Sequence, residues 1–509
     1  MTSPDTTSAN LPAETTSHSE ERGSGSTATS RVGRNTIINF FGAVVPIFVS
    51  LATVPAYLHL IGNARYGVLA VIWVVFGYFG VFEFGLSRAT ANQIARMRYK
   101  PAEDRARLFW TALLLNAGVG AVGGALLFLV GHLVLGHVLK VSPEFRSQAT
   151  AAVPWLAAGV PATTITTVLA GTLEGRERFL TANLLTVIGI ALFQLVPLGY
   201  AYWVGPNLTG LIMSAIIALL ASTALSLVVT ALSLPATGFP SPDRTKVGML
   251  FRYGGWITVS GLVGPLLTVV DRVLIGAFLG ARSVTLYTVP FTLVSRAQIL
   301  SGSLARTLFP RFSVLEAGEA AVVGREALRV LTAVITPITV IGAVLLEPFL
   351  RIWVGGAITR DAAPVGEILL LGMWLNSLAV IPYGFLQARG RPDLTAKFHL
   401  LELLPYAGAL VLGLHLAGIR GAAWAWTARA GSDAALLFWA AARISGTPGS
   451  TGARQLLRAG ILVGVACFGN LIPLSGSLKV GLGGGLVALS IWWGWRSARM
   501  RLRPLATRP

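Results

Sequence analysis

The sequence predicts an all-α integral membrane fold of about 14 transmembrane helices, arranged as two pseudo-symmetric six-helix bundles plus two C-terminal helices. Three observations lead there. Of the 509 residues, 54% are hydrophobic and only 12% charged, with a mean hydropathy of +0.70. A soluble domain carries roughly a quarter of its residues as charges, so this chain lacks the charge to cover a water-facing surface. Apolar runs of about 20 residues recur along it, and in lipid such runs must be helical, because each backbone group has to be satisfied within its own segment. Finally, the first half is echoed in the second.

Taken in order, residues 1–33 are polar, rich in Ser and Thr and without an apolar core, and are expected to be a disordered cytoplasmic tail. Residues 34–234 form the expected N-terminal six-helix bundle, with apolar runs beginning near Thr36, Tyr66, Leu108, Gln148, Leu180 and Leu208. A cytoplasmic linker follows at 235–252. The C-terminal six-helix bundle is expected at 253–444, its runs beginning near Gly254, Val284, Glu326, Ala363, Leu394 and Gly421. Two additional helices occupy 455–496, beginning near Leu456 and Lys479, and a basic cytoplasmic tail closes the chain at 497–509.

The net charge of +19 is distributed unevenly. The connection after the second run holds Arg96, Arg98, Lys100, Arg105 and Arg107; later alternate connections hold Arg176 and Arg178, then Arg244, Lys246 and Arg252, then Arg389, Arg391 and Lys397. The opposite connections are poor in Lys and Arg, with Arg65 alone after the first run. Positive residues accumulate on the cytoplasmic side of membrane proteins, so both termini are expected inside. The excess of cations is therefore an orientation signal, and no nucleic-acid partner is expected.

Laying residues 34–90 over the second half at an offset of about 218 aligns Arg34 with Arg252, Gly62 with Gly280, Val71 with Val289 and Arg88 with Arg306. Six runs separate the copies, which keeps their orientation the same and implies parallel repeats about an axis along the membrane normal. The one cysteine, Cys467, lies in an apolar run and excludes an internal disulfide; no His/Cys cluster has metal-ligand spacing, and neither metal nor cofactor is expected. No phosphate-binding loop, dinucleotide fingerprint or nucleophile elbow stands between the runs, and no connection is long enough for a soluble catalytic domain. The chain is not expected to be an enzyme.

The first two runs, from Asn35 to Arg96, resemble the start of bacterial polysaccharide and O-antigen (Wzx-type) flippases. The likeness lies in Pro46 and Pro55, in the turn containing Gly62, Tyr66 and Gly67, and in Glu83 followed by Phe84, Gly85 and Leu86. Val270 to Val294 and Leu308 to Ser313 repeat it in the second half. These flippases belong to the multidrug/oligosaccharidyl-lipid/polysaccharide exporter superfamily. The resemblance implies a transporter that flips an undecaprenyl-diphosphate-linked oligosaccharide from the cytoplasmic to the outer leaflet of the bacterial cytoplasmic membrane, by alternating access around a cationic cavity. Its implied partners are the lipid-linked oligosaccharide, membrane lipids and polysaccharide-assembly proteins. The alternatives are a cation-coupled multidrug exporter of the same superfamily and a membrane polymerase or ligase acting on the same carrier.

A diphosphate-bearing substrate calls for Arg, whose planar fork donates paired hydrogen bonds to phosphate oxygens and stays charged when buried. Each Arg at mid-membrane costs about 2.5–3.5 kcal/mol on insertion scales, so such residues should stand out. Arg296, near the middle of its run, is the central candidate, against an ion pair with Asp271. Arg88 and Arg306, related by the repeat, are candidates for substrate capture at the cytoplasmic mouth, against snorkelling of their side chains to the interface. Arg429 is the fourth candidate, against a pair with Asp433 one turn later. Asp271 and Glu83 are the candidates for ion coupling or charge pairing. Asp271 and Arg272 are expected to face different surroundings, being about 100° apart on a helix. Glu402 and His399 are read as interfacial.

Overall fold

The computed structural model describes residues 20–79, 90, 93–94, 97, 101–134, 142–176, 178–233, 267, 269–446, 453–469 and 476–499. Among the described residues the secondary structure is helical, with no strand. In chain order the helices are α1 (Glu20–Phe79), α2 (Ala102–Leu133), α3 (Pro143–Ala151), α4 (Val153–Gly175), α5 (Phe179–Trp203), α6 (Leu208–Ser233), α7 (269–279) and α8 (Ala281–Val294). A 3₁₀ turn at Ser295–Ala297 leads into α9 (Gln298–Val314), followed by α10 (Ala317–Trp353), α11 (Gly356–Ala388), α12 (Pro392–Ser445), α13 (Ala453–Gly469) and α14 (Gly476–Arg499). Among the described residues eight helices are long and apolar enough to cross a membrane, which makes this a multi-pass membrane protein. α1 begins at Glu20, inside the segment expected to be a tail.

Two helices are double. The course of α1 breaks at Gly62 (φ 75°, ψ 165°), and that of α12 breaks at Ala417 and Gly418 (φ 56°). Gly62 and its repeat partner Gly280 (φ 83°, ψ 173°) share one left-handed backbone conformation, open to glycine and strained for other residues. The repeat read from the sequence is thus visible in the backbone where Gly62 aligns with Gly280. Pro46, Pro55, Pro161, Pro290 and Pro337 all lie inside helices.

In the first half α2 packs on α4, α4 on α6, and α5 on both α6 and α1. Small residues allow the closest of these approaches, since a side chain at Gly120 would collide with Pro161 and one at Gly124 with the Ala157 carbonyl. In the second half α11 is central, packed against α8, α9, α10 and α12, and buried along much of its length. α13 packs on α10 and α11, and α14 on α10, so the two C-terminal helices belong with the second half.

The halves meet where α1 crosses α8, next to Gly62 and Gly280. A Cβ on Gly67 would fall 1.8 Å from the Ala281 carbonyl oxygen, and the Thr285 hydroxyl donates to the Asn63 carbonyl at 2.6 Å. Asn63 and Gly67 are the repeat partners of Ala281 and Thr285, so each copy presents the same two positions to the other. This crossing is a pseudo-two-fold contact between the halves; about 16 Å back along α1 from Gly62, at 1.5 Å per residue, the Trp353 indole donates to the Leu51 carbonyl at 2.7 Å.

Candidate functional site

Arg296 sits on the 3₁₀ turn that interrupts the path from α8 to α9, half-buried, about 24 Å along the helical path from Gly280 at 1.5 Å per residue. Pro290, one and a half turns earlier, contributes no backbone N–H to the helical ladder there. From this position Arg296 reaches into the other half of the molecule, where its Nη2 lies 3.4 Å from the Ser50 hydroxyl on α1. Among the described residues it forms no ion pair with a carboxylate, and its Nε is buried without a hydrogen-bond partner. A guanidinium at mid-helix, between the halves and uncompensated, can be neutralised by an anion brought to it.

Asp271, the partner weighed for Arg296, is engaged elsewhere. Its Oδ1 accepts from Arg272 Nη1 at 3.1 Å and from the Arg272 backbone N–H at 2.7 Å, and its Oδ2 accepts from the Tyr287 hydroxyl at 3.0 Å. Asp271 and Arg272 therefore face each other, although their Cα positions diverge by about 100°. The long Arg272 side chain curls back to its neighbour and lies over the Phe291 ring, its guanidinium 4.2 Å from the centroid. Both residues are buried.

Arg429 is also paired. Its Nη1 lies 3.6 Å from Glu402 Oε2, and its guanidinium stands over the rings of Tyr406 and Trp426. Asp433, the partner expected one turn on, has His399 Nε2 at 3.9 Å. Glu402 and His399 were expected at the interface, yet Glu402 is buried, because the first leg of α12 starts at Pro392 and carries it about three turns inward. Sequence reading missed Glu367, a buried carboxylate on α11. Its signal was an acidic residue inside an apolar run.

Arg306 lies in α9, one repeat away from Arg88. Arg88 and Glu83 lie outside the described residues. No three His, Cys, Asp or Glu side chains among the described residues are grouped as metal ligands would be.

The family model described as "Polysaccharide biosynthesis protein" matches residues 32–316, more than half of the chain. The chain belongs to this polysaccharide biosynthesis family. That agrees with the resemblance carried by Asn35 to Arg96 and identifies a membrane protein of the polysaccharide flippase type, not an enzyme. A Shigella flexneri protein whose name assigns it to O-antigen transport is 27% identical over 410 residues, covering 80% of this chain and 96% of that protein. Among solved structures, the lipid II flippase MurJ in an inward closed conformation aligns with a TM-score of 0.70 at 12% identity, covering 91% of this chain and 98% of that one. An inward-facing multidrug-resistance MATE transporter aligns at 0.67 and 16% identity, over 80% of this chain and 96% of that one. An outward-facing MATE transporter aligns at 0.59 and 15% identity, over 82% and 96%. At these identities the family member shares a fold with MurJ and MATE proteins.

Proposed function

We propose that this family member flips an undecaprenyl-diphosphate-linked oligosaccharide from the cytoplasmic to the outer leaflet of the bacterial cytoplasmic membrane, by alternating access of two six-helix bundles. The observation that carries the reading is Arg296, a mid-helix cation between the halves with no carboxylate partner among the described residues. Its guanidinium is suited to hold the diphosphate, while the prenyl tail stays in lipid at a lateral opening. Arg306 and Arg88 serve as capture cations at the cytoplasmic mouth, and Glu83 balances charge there. Arg429 is held by Glu402, and Asp271 by Arg272; they enter the proposal as paired charges. The relative named for O-antigen transport and the fold shared with a lipid II flippase support the substrate class.

In this reading the two legs of α1, the two legs of α12, and the run from α7 into α9 bring the spans to about 14, with 34–234 and 253–444 as the bundles and α13 and α14 appended. Both termini are cytoplasmic, which puts the crossing at Gly62 and Gly280 at the outer face. The outer end is then closed, and the better alignment with an inward-facing than with an outward-facing MATE transporter supports that state. An unpaired central cation speaks against export of cationic drugs. Polysaccharide-assembly proteins are the expected recipients of the product.

In vesicles reconstituted with the protein and a lipid-linked oligosaccharide, Arg296→Ala is expected to slow transport at least about 10-fold, the loss of roughly 1.4 kcal/mol of a charge-assisted contact, and Arg296→Lys less. Unchanged transport in Arg296→Ala sinks the central-cation reading.

A further inference from the structure

The two legs of α12 turn back on each other at Ala417 and Gly418, where the chains approach so closely that a Cβ on Gly421 would meet the Gly413 carbonyl oxygen at 1.9 Å. The hairpin sets two stripes face to face. His399, Glu402 and Tyr406 lie along one leg at spacings of three and four, and Trp426, Arg429 and Asp433 along the other. Helices α7, α8 and α11 bring the remaining ionisable neighbours: Asp271 and Arg272, Tyr287, and Tyr383 stacked on His399.

Charge counting exposes an imbalance. Asp271 and Arg272 cancel as a contact pair. Glu402 and Asp433, both buried, are left with one guanidinium between them, that of Arg429, and a histidine. With both acids ionised and His399 neutral, the hairpin would hold a net negative charge away from water, which is costly unless a cation joins it. Orphaned polar atoms point to where it joins. Both Glu402 carboxylate oxygens lack a hydrogen bond, as do the Tyr406 hydroxyl and the Trp426 indole N–H, each on a side chain more than nine-tenths buried beside Arg429. Asp433 has one orphaned oxygen, Oδ1, where Glu402 has two, and His399 Nε2 stands 3.9 Å from it. A metal cation would sit against the Arg429 guanidinium and be repelled by it. A proton would not, because it neutralises Glu402 in place.

We propose that the α12 hairpin is a one-proton site, in which Glu402 takes up a proton from bulk water and Arg429 then compensates Asp433. Protonation removes the attraction that ties the first leg of α12, through Glu402, to the second leg, through Arg429. The site thus makes the packing of the hairpin depend on pH; its link to transport rests on the function proposed above.

The test uses full-length protein in vesicles of neutral phospholipid, without substrate, and follows the infrared C=O stretch of protonated carboxyl groups as pH is taken from roughly 5 to 8. Exposed acids lose this band near the ordinary glutamate range of about 4.3. One band should persist above that range, shift in D₂O, disappear in Glu402→Gln and survive in Asp271→Asn, at any sodium concentration. A wild-type spectrum with no persisting band overturns the proposal, and so does a band that survives in Glu402→Gln. A band abolished by sodium at constant pH overturns it in favour of a metal cation. Because no transport is measured, failure here leaves the flippase reading standing. If both hold, transport by the wild type changes with pH, and Glu402→Gln flattens that dependence.

Discussion

The two halves bury different chemistry. Among the described residues, the buried polar side chains of the first half are hydroxyls and an amide, including Asn116, Thr164, Thr172, Ser222, Thr223 and Thr230, with no charge among them. The second half buries Asp271, Arg272, Glu367, Glu402 and Asp433, with Arg429 only slightly more exposed. Serine and threonine in a helix can donate to a carbonyl one turn back, as Thr166 does to Ala162 and Ser226 to Ser222, so most of them need no help from another helix, although the Thr230 hydroxyl has no hydrogen-bond partner. A buried charge has no such private partner. It must find a counter-charge on its own or a neighbouring segment, and the second half is accordingly knit by pairs such as Asp271 with Arg272 and Glu402 with Arg429. The repeat has conserved a backbone plan, visible at Gly62 and Gly280, while the interiors have taken separate roles.

The largest effect should follow from breaking a charge pair in the second half. Arg272→Leu leaves Asp271 buried with only the Tyr287 hydroxyl and its own backbone contact, and removing one partner of a buried pair costs about 3–5 kcal/mol. Thermal unfolding of the purified protein in detergent should register this as a clear drop in Tm. Arg296→Leu makes the sharpening contrast: that cation has no carboxylate to abandon, so Tm should hold or rise while transport falls. Equal destabilisation by both substitutions would erase the distinction between a structural and a substrate-facing arginine.

Next in size is the crossing that joins the halves. Gly67→Ala places a methyl group 1.8 Å from the Ala281 carbonyl oxygen, and the backbones must part. Overpacking of this kind costs about 1–3 kcal/mol, which shifts an open–closed equilibrium by roughly 5- to 150-fold. With Cys467→Ser removing the native thiol, a cysteine introduced at Asn63 should become more reactive to a membrane-impermeant maleimide in the Gly67→Ala background. The same labelling rate with and without Gly67→Ala would mean that the crossing is not the seal.

How much of this was legible in the sequence differs between the halves for the same physical reason. Membrane class and helical character follow from hydropathy, and the repeat that aligns Gly62 with Gly280 follows from spacing, because lipid leaves the backbone few choices. The intramembrane charges announced themselves as Arg296, Asp271 and Arg429. Their partners did not. The pairing of Asp271 with its own neighbour depends on how a long side chain folds back, and Glu402 looked interfacial because hydropathy does not fix a helix start to within a turn. Glu367 went unnoticed as a single acid in an apolar run. The hydroxyl-lined interior of the first half gave no signal at all, since Thr and Ser are common in spans of every kind.

The smallest effect belongs to that quiet half. Thr166 and Thr223 join α4 to α6 through their hydroxyls at 2.8 Å, and each also donates to a carbonyl of its own helix, Ala162 and Leu219 respectively. Each hydroxyl has only one proton, so the interhelical bond and the two helical ones cannot all be made at once. Thr223→Val removes one hydroxyl, keeps the shape, and frees Thr166 to donate to Ala162 without competition. Interhelical hydrogen bonds inside membranes average about 0.6 kcal/mol, so Tm should change by no more than a fraction of the Arg272→Leu drop. A loss near the charge-pair value would show that the first half, too, is held by obligatory polar partners, and the contrast between the halves would then be one of residue type alone.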